Sequence, residues 1–322
     1  MMTAPAAFVL AAGLGTRLAP LTTVLPKPLV PVFHKPLLTF ALDSLIEAGV
    51  GPLALNTHHL PETFTPVFGE ESSYRDRPLR FFHEPLLLDT GGGVRNARSG
   101  LGDSTFFLYN GDILADLPLR ALLEQHRASG VLATLLLRPS GGGGSANVLF
   151  ATGSSRVLDL RGVLGASDGE GTVYSGIAVL ESEIFNWIPD TGPYSIIDAL
   201  LEAMRSGEEI GGMLVNEGLW IDLGTPASYL EAHRLLADPV NRPSYLTDAT
   251  WPRIIHPDAR IESGAMLEGV VSIGPRAVIK SGAVIKDSVI WPGAELGPET
   301  RIENCVVSAL SPVNGSFSGG VI

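Results

Sequence analysis

The sequence predicts two architectures in series: an α/β, doubly wound, mostly parallel sheet, followed by a short parallel β-solenoid. Three observations predict them. Up to about residue 237, short near-continuous apolar runs alternate with helical patterns, the signature of parallel strands covered on both faces. From Ile255 onward, aliphatic residues recur every six positions, a period that fits neither a helix nor a half-buried strand. Between the two lies a stretch, residues 238–252, with three prolines and no helical stripe. The predicted division is therefore 1–237, a linker 238–252, repeats over 253–310 and a tail 311–322.

The elements follow in order. Residues 8–12 read as a buried strand running into a glycine loop. Residues 36–48 read as a helix: Leu37, Phe40, Ala41, Leu45 and Ala48 form a stripe, Pro36 suits the first turn and Gly49 the stop. Residues 53–56 form a second strand, and residues 106–109 a third that ends in Asn110-Gly111-Asp112. A helix over 117–129 precedes a β-branched and leucine-rich strand over 131–137. In such sheets, ligands bind at the carboxyl ends of the strands. Ser140 to Ser145 looks like a flexible linker within the domain.

In the repeats, Ile255, Ile261, Leu267, Ile273, Ile279 and Ile285 are six apart; after one five-residue step come Ile290, Leu296 and Ile302. Smaller residues stand four positions after each, from Ala259 to Val306. Three flat faces of six residues make one coil of a triangular prism, so these positions predict about three coils.

Composition sets limits. The chain has 322 residues and a net charge of −12, so it offers no global positive field to nucleic acid or anionic lipid. One cysteine, Cys305, excludes an intramolecular disulfide or a multi-cysteine metal site. No run approaches the ~18 apolar residues that span a bilayer. No Lys or Arg precedes the short apolar run at 8–12, so a signal peptide is not expected, and the predicted location is cytoplasmic.

The chemistry concentrates after the first strand. Gly13 and Gly15 allow tight turns and close backbone approach, and exposed amides there can cradle phosphate oxygens. Arg17 can grip a phosphate with a planar fork, while Lys27 is a point charge held between Pro26 and Pro28. No Gly-Lys-Ser/Thr follows the glycines, and no third glycine completes a dinucleotide fingerprint.

The run Gly13-Leu14-Gly15-Thr16-Arg17 with Pro26-Lys27-Pro28 closely resembles the motif of the sugar-1-phosphate nucleotidyltransferases. The resemblance covers most of residues 7–235 and implies a Rossmann-like fold that transfers a nucleotidyl group from an NTP to a sugar 1-phosphate, releasing pyrophosphate. It implies catalytic roles for Arg17 and Lys27, and Mg²⁺ on Asp112 and Asp222. Both aspartates end strands, and Mg²⁺ takes a few carboxylate oxygens plus phosphates and water. The nucleotide would be met by Leu10, Ala12, Gly13, Gly15, Thr16 and Asn110, and by a second glycine loop with Thr90, Gly91 and Gly92. Glu84 precedes that loop where relatives place a base-contacting residue. An ionised carboxylate only accepts hydrogen bonds, which favours guanine over uracil or thymine.

Towards the sugar, the resemblance implicates Asn147, Ser175 and Gly176. Relatives carry a phosphate-binding lysine about twenty residues before that Ser-Gly strand; this chain has Arg161 instead, which is either its substitute or a surface arginine. The repeats resemble the left-handed β-helix of hexapeptide-repeat proteins, which mannose-1-phosphate guanylyltransferases also carry. That likeness favours GTP with mannose 1-phosphate, with UTP or dTTP and another sugar as the alternative. A sugar-nucleotide-sensing regulatory subunit is a rival, opposed by the presence of all four charged residues. An acyltransferase in the repeats has no supporting constellation. The repeats are expected to support a homo-oligomer, and a chain ending near Ala237 to keep measurable chemistry if it stays soluble.

Overall fold

The computed structural model describes residues 4–69, 73–141, 147–308 and 311–322. The glycine-rich stretch within 140–145 lies mostly outside the described residues. The chain forms two compact units whose bounds differ from the linear division above: Met1–Gly13 with Ala41–Trp220, and Leu14–Phe40 with Ile221–Ile322. The segment that carries Gly15, Arg17 and Lys27 thus groups with the C-terminal part of the chain.

The first unit is built on a ten-stranded sheet. Around its centre the pairing is parallel: Ala6–Leu10 lies between Leu53–Thr57 and Phe106–Asn110, and Arg77–His83 extends the row. The three central strands are almost wholly buried, which explains their unbroken apolar runs. The other half departs from the parallel expectation. Glu170–Leu180 runs antiparallel to both Phe106–Asn110 and Ala133–Pro139, and Val148–Ala151 pairs antiparallel with Arg156–Leu160. The turn between the last two is far too short for a parallel crossover, so the chain must fold back on itself. The helices of the unit include Asp89–Asn96, Leu119–Ser129 and Ile196–Arg205.

The second unit contains stacked short parallel strands. Ile261 pairs with Ile279 and Ile279 with Leu296; Leu267 pairs with Ile285 and Ile285 with Ile302; Ile273 pairs with Ile290. The six-residue register therefore places like positions on one another from coil to coil. From Ile273 to Ile302 the aliphatic positions are buried, and Ala277, Ala283 and Ala294 are buried with them. Ile255 and Ile261, in the first coil, remain exposed. The segment read as a tail contains a strand, Ser316–Val321, parallel to Arg301–Val307.

The stretch read as a linker is also structured. Trp251 is buried, packs edge-on against Phe33 and Phe40, and donates its indole N–H to the Val32 carbonyl at 3.4 Å. An aromatic ring among prolines is a packing residue, which the absence of a helical stripe could not reveal.

Candidate active site

In the second unit, Gly15 adopts φ +62°, and a Cβ there would come within 2.9 Å of the side chains of Lys27 and Thr22. Glycine is required on both counts. The turn continues into a short 3-10 helix, Thr16–Leu18, that carries Arg17. Lys27 opens another, Lys27–Leu29, after extended Pro26. Both cations reach one acid. Lys27 Nζ lies 3.4 Å from Asp222 Oδ1, and Arg17 Nη2 lies 3.7 Å from Asp222 Oδ2. Lys27 is buried, whereas Asp222 is partly open and Arg17 largely so. Gly224 lets the guanidinium lie close, because a Cβ there would stand 3.1 Å from Arg17 Nη1. The result is two fixed positive charges on a glycine-turned segment, a cradle suited to anionic oxygens.

In the first unit, the strand Ala6–Leu10 runs into Ala11 and Ala12, whose amides both donate to Asn56 Oδ1, at 2.6 and 3.2 Å. The Leu10 carbonyl accepts from the Gly111 amide. An added Cβ at Gly13 would meet open space. Asp112 follows Gly111 in the turn after the Phe106–Asn110 strand. No group of three or more metal-ligating side chains occurs among the described residues.

Glu84 does not present its carboxylate as expected. It is fully buried; Oε1 accepts from Asn56 Nδ2 at 2.8 Å, and Oε2 accepts from the Leu88 amide at 3.0 Å. Both oxygens are engaged by the chain's own donors, so the base-reading argument built on Glu84 is withdrawn. The stretch Asp89 to Gly93 is likewise no loop but the start of the Asp89–Asn96 helix. Its glycines serve close packing: a Cβ at Gly91 would stand 2.9 Å from the Tyr194 carbonyl, and one at Gly92 would stand 3.1 Å from the Gly192 carbonyl. Sequence reasoning took Gly91 and Gly92 for a nucleotide-side loop where the structure uses them for close packing of a helix start.

A cleft of about 360 Å³ in this unit is lined by Thr90, Asn110, Asn147 and Arg161, together with Tyr174, Ser195 and Asp198. Arg161 Nη1 lies 3.5 Å from Asp198 Oδ1, and both side chains are half exposed. Asn147 Oδ1 accepts from the Tyr174 amide, and Thr90 Oγ1 accepts from the Ile196 amide at the start of a helix. Ser175 is buried, with its hydroxyl accepting from the Ile177 amide and its carbonyl accepting from the Trp220 indole at 2.9 Å. Gly176 has φ +84° at a register shift in the strand, and a Cβ there would stand 2.5 Å from Ile113 and 2.8 Å from the Asn110 amide nitrogen. This is a glycine bulge that admits Asn110. Ser175 and Gly176 therefore shape the neighbourhood of the cleft without lining it. Sequence reasoning missed Asn56, Ser195 and Asp198. Asn56 left one signal, an amide inside an otherwise apolar buried strand.

A family model described as Nucleotidyl transferase matches residues 6–238, and one described as GMPPB C-terminal domain matches residues 250–317. The chain is similar to a UTP–glucose-1-phosphate uridylyltransferase of Synechocystis, at 27% identity over 94% of this chain and 86% of that protein. It is 28% identical to a mannose-1-phosphate guanylyltransferase of Mycobacterium tuberculosis, over 94% of this chain and 79% of that protein. It is 29% identical to a mannose-1-phosphate guanyltransferase of Hypocrea jecorina, over 93% and 89%. Among solved structures, a UDP-glucose pyrophosphorylase from Acinetobacter baumannii aligns with TM-score 0.62 at 19% identity, over 74% of this chain and 95% of that one, which supports the α/β fold. With the glycine turn, Arg17 and Lys27 in place, the chain belongs to the nucleotidyl transferase family and is a sugar-1-phosphate nucleotidyltransferase.

Proposed function

We propose that this enzyme joins GTP and mannose 1-phosphate to give GDP-mannose and pyrophosphate. The observation that carries the chemistry is the pair of cations, Arg17 and Lys27, both held on Asp222 beside the Gly15 turn. A sugar-phosphate oxygen attacks the α-phosphorus in line, and the pyrophosphate leaves. Little covalent work falls to the protein, so catalysis is positioning and charge neutralisation. Lys27 holds the α-phosphate and the charge that develops there; Arg17 stabilises the departing pyrophosphate. The backbone of Leu10, Ala12, Gly13, Gly15 and Thr16, with Asn110 and the helix start at Thr90, Gly91 and Gly92, receives the nucleotide.

Support for a sugar phosphate comes from the cleft, which offers one cation, Arg161, two acids, Asp89 and Asp198, and several amides and hydroxyls suited to a polyhydroxylated ligand. Asn147 and Arg161 are assigned to it, with Ser175 and Gly176 shaping its wall. Asp112 and Asp222 are assigned to Mg²⁺ as well, each a hard carboxylate of the kind the ion takes along with phosphate oxygens and water. The metal would neutralise phosphate charge.

The choice of guanine and mannose rests on the second family match together with the guanylyltransferases among the relatives, since Glu84 no longer speaks for the base. The parallel coils are taken as a left-handed β-helix, and their exposed first coil, with Ile255 and Ile261, as the part that supports a homo-oligomer. Residues 1–237 form the catalytic domain in this reading, 238–252 the linker, 253–310 the β-helix and 311–322 its closing segment. No helix among the described residues is long and apolar enough to cross a membrane; a cytoplasmic location is proposed. Measured kcat/KM over a panel of GTP, UTP and dTTP with mannose and glucose 1-phosphates tests the assignment. A preference for UTP with glucose 1-phosphate would overturn the substrate choice.

A further inference from the structure

We infer that Asn56 and Glu84 form a positioning relay, which sets the backbone of both nucleotide-side segments at once and takes no part in reading the base. The inference rests on the assignment of those segments to the nucleotide. The relay is continuous. The amides of Ala11 and Ala12 donate to Asn56 Oδ1, Asn56 Nδ2 donates to Glu84 Oε1, and the Leu88 amide donates to Glu84 Oε2. One end fixes the backbone just before Gly13, and the other fixes the residue that enters the Asp89–Asn96 helix. Neither side chain is open to solvent, with exposures of 2% for Asn56 and 0% for Glu84.

The orientation of the amide is fixed by chemistry. Backbone N–H groups only donate, so the Asn56 oxygen must face Ala11 and Ala12, and its nitrogen is left for Glu84. The strand end that carries Glu84 is itself pinned: its amide donates to the Thr57 carbonyl at 2.8 Å, and its carbonyl meets His58 Nδ1 at 2.7 Å. Gly93 closes the arrangement. A Cβ there would stand 2.9 Å from both Asn56 Nδ2 and Glu84 Oε1, so any side chain would wedge the pair apart. Four donors and three acceptor oxygens are matched with no surplus donor facing another. Such a buried network is stiff when complete and costly when one member is wrong.

The polarity of the relay can be inverted, and that supplies the test. In Glu84→Gln, the new side-chain NH₂ must face either Asn56 Nδ2 or the Leu88 amide, so two donors collide. In Asn56→Asp, two carboxylates face each other. In the double variant Asn56→Asp with Glu84→Gln, the carboxylate at position 56 still accepts from Ala11 and Ala12. It now also accepts from the NH₂ introduced at position 84, whose amide oxygen accepts from Leu88. Every hydrogen bond is restored with donor and acceptor exchanged. The full chain is assayed for pyrophosphate release with GTP and with UTP, each with mannose 1-phosphate. Each single variant should raise KM for the nucleotide about tenfold or more, the consequence of one buried group left unpaired, with KM for the sugar phosphate unchanged. The double variant should recover nucleotide KM, and its GTP-to-UTP preference should equal that of the wild type. A double variant no better than the worse single would overturn the relay. So would a change in GTP-to-UTP preference that persists in the double variant, because Glu84 would then read the base. Thermal midpoints of the same four proteins test the relay without catalysis. A wild type that transfers no nucleotide, with midpoints lowered in the singles and restored in the double, would refute the functional assignment and leave the relay standing.

Discussion

Lys27 Nζ stands 3.4 Å from Asp222 Oδ1, and the lysine is buried while the aspartate is partly open. A buried cation with its partner at the surface is held in place by the fold and offers its charge through that partner's opening. Asp222→Asn keeps the size of the side chain and should leave the protein folded, at some cost in stability because buried Lys27 loses a counter-charge. It should nevertheless lower kcat by about 10²- to 10³-fold, the scale of losing one preorganised electrostatic group. Lys27→Ala and Arg17→Ala should each do likewise. Near-wild-type turnover in Asp222→Asn, by pyrophosphate release, would remove the acid from the chemistry.

Two histidines in the second unit make stability depend on pH. Burial, with His256 beside it at 5.4 Å between ring centroids, pushes His34 down from 6.5 to about 4. Burial pushes His233 down from 6.5 to about 4 as well, although its Nδ1 meets the Tyr229 carbonyl. The charged and titratable groups facing His34 are His256, Arg253 and His233. Both rings are neutral when folded and take up protons on unfolding, so the folded state is favoured above about pH 6.5 and loses that advantage as pH falls from 6.5 to 4. The thermal midpoint should fall across that window, and the slope should flatten in His233→Gln. An unchanged slope in that variant would show that His233 does not titrate with unfolding.

Gly176→Ala should be destabilising by about 1–3 kcal/mol, the cost of overpacking, because the new methyl would overlap Ile113 and the Asn110 amide. Displacing Asn110 should also raise KM for the nucleotide. Chemical denaturation and steady-state kinetics on the variant check both. A neutral substitution would mean that the bulge yields freely.

Arg161→Ala should raise KM for the sugar 1-phosphate alone and leave nucleotide KM unchanged. Its present partner, Asp198, is half exposed and bound at 3.5 Å, a weak contact that a phosphate would displace. Unchanged sugar-phosphate KM would return Arg161 to the surface.

Much of this was legible in the sequence because it rested on periodicity. The hexad from Ile255 to Ile302 forecast the stacking of Ile261, Ile279 and Leu296, and the apolar runs forecast the central parallel strands. What escaped was anything set by contacts between distant segments. Glu84 looked like a free carboxylate because Asn56, its partner, lies 28 residues away. Gly91 and Gly92 looked like a loop because their reason, the carbonyls of Tyr194 and Gly192, lies about a hundred residues on. The antiparallel course of Glu170–Leu180 was hidden because its buried end, Ile177–Leu180, is an apolar run that a parallel strand would share.

The grouping of Leu14–Phe40 with the C-terminal half changes one expectation. Trp251 covers Phe33 and Phe40, and the His34 ring meets that of His256. A chain ending near Ala237 would lose both, uncovering Phe33 and Phe40 in the same Leu14–Phe40 segment that carries Lys27. It should therefore lose most activity and melt earlier, where sequence alone led us to expect chemistry to survive. Wild-type kcat in the truncated chain would show that the segment holds itself.

The most direct test is phosphorus NMR of the full-length enzyme with GTP, mannose 1-phosphate and Mg²⁺. The account predicts GDP-mannose and pyrophosphate appearing in equal amounts, with product formation abolished by EDTA and sharply reduced in Lys27→Ala. Absence of pyrophosphate with every NTP and sugar 1-phosphate pair, or undiminished turnover in Lys27→Ala, would contradict it.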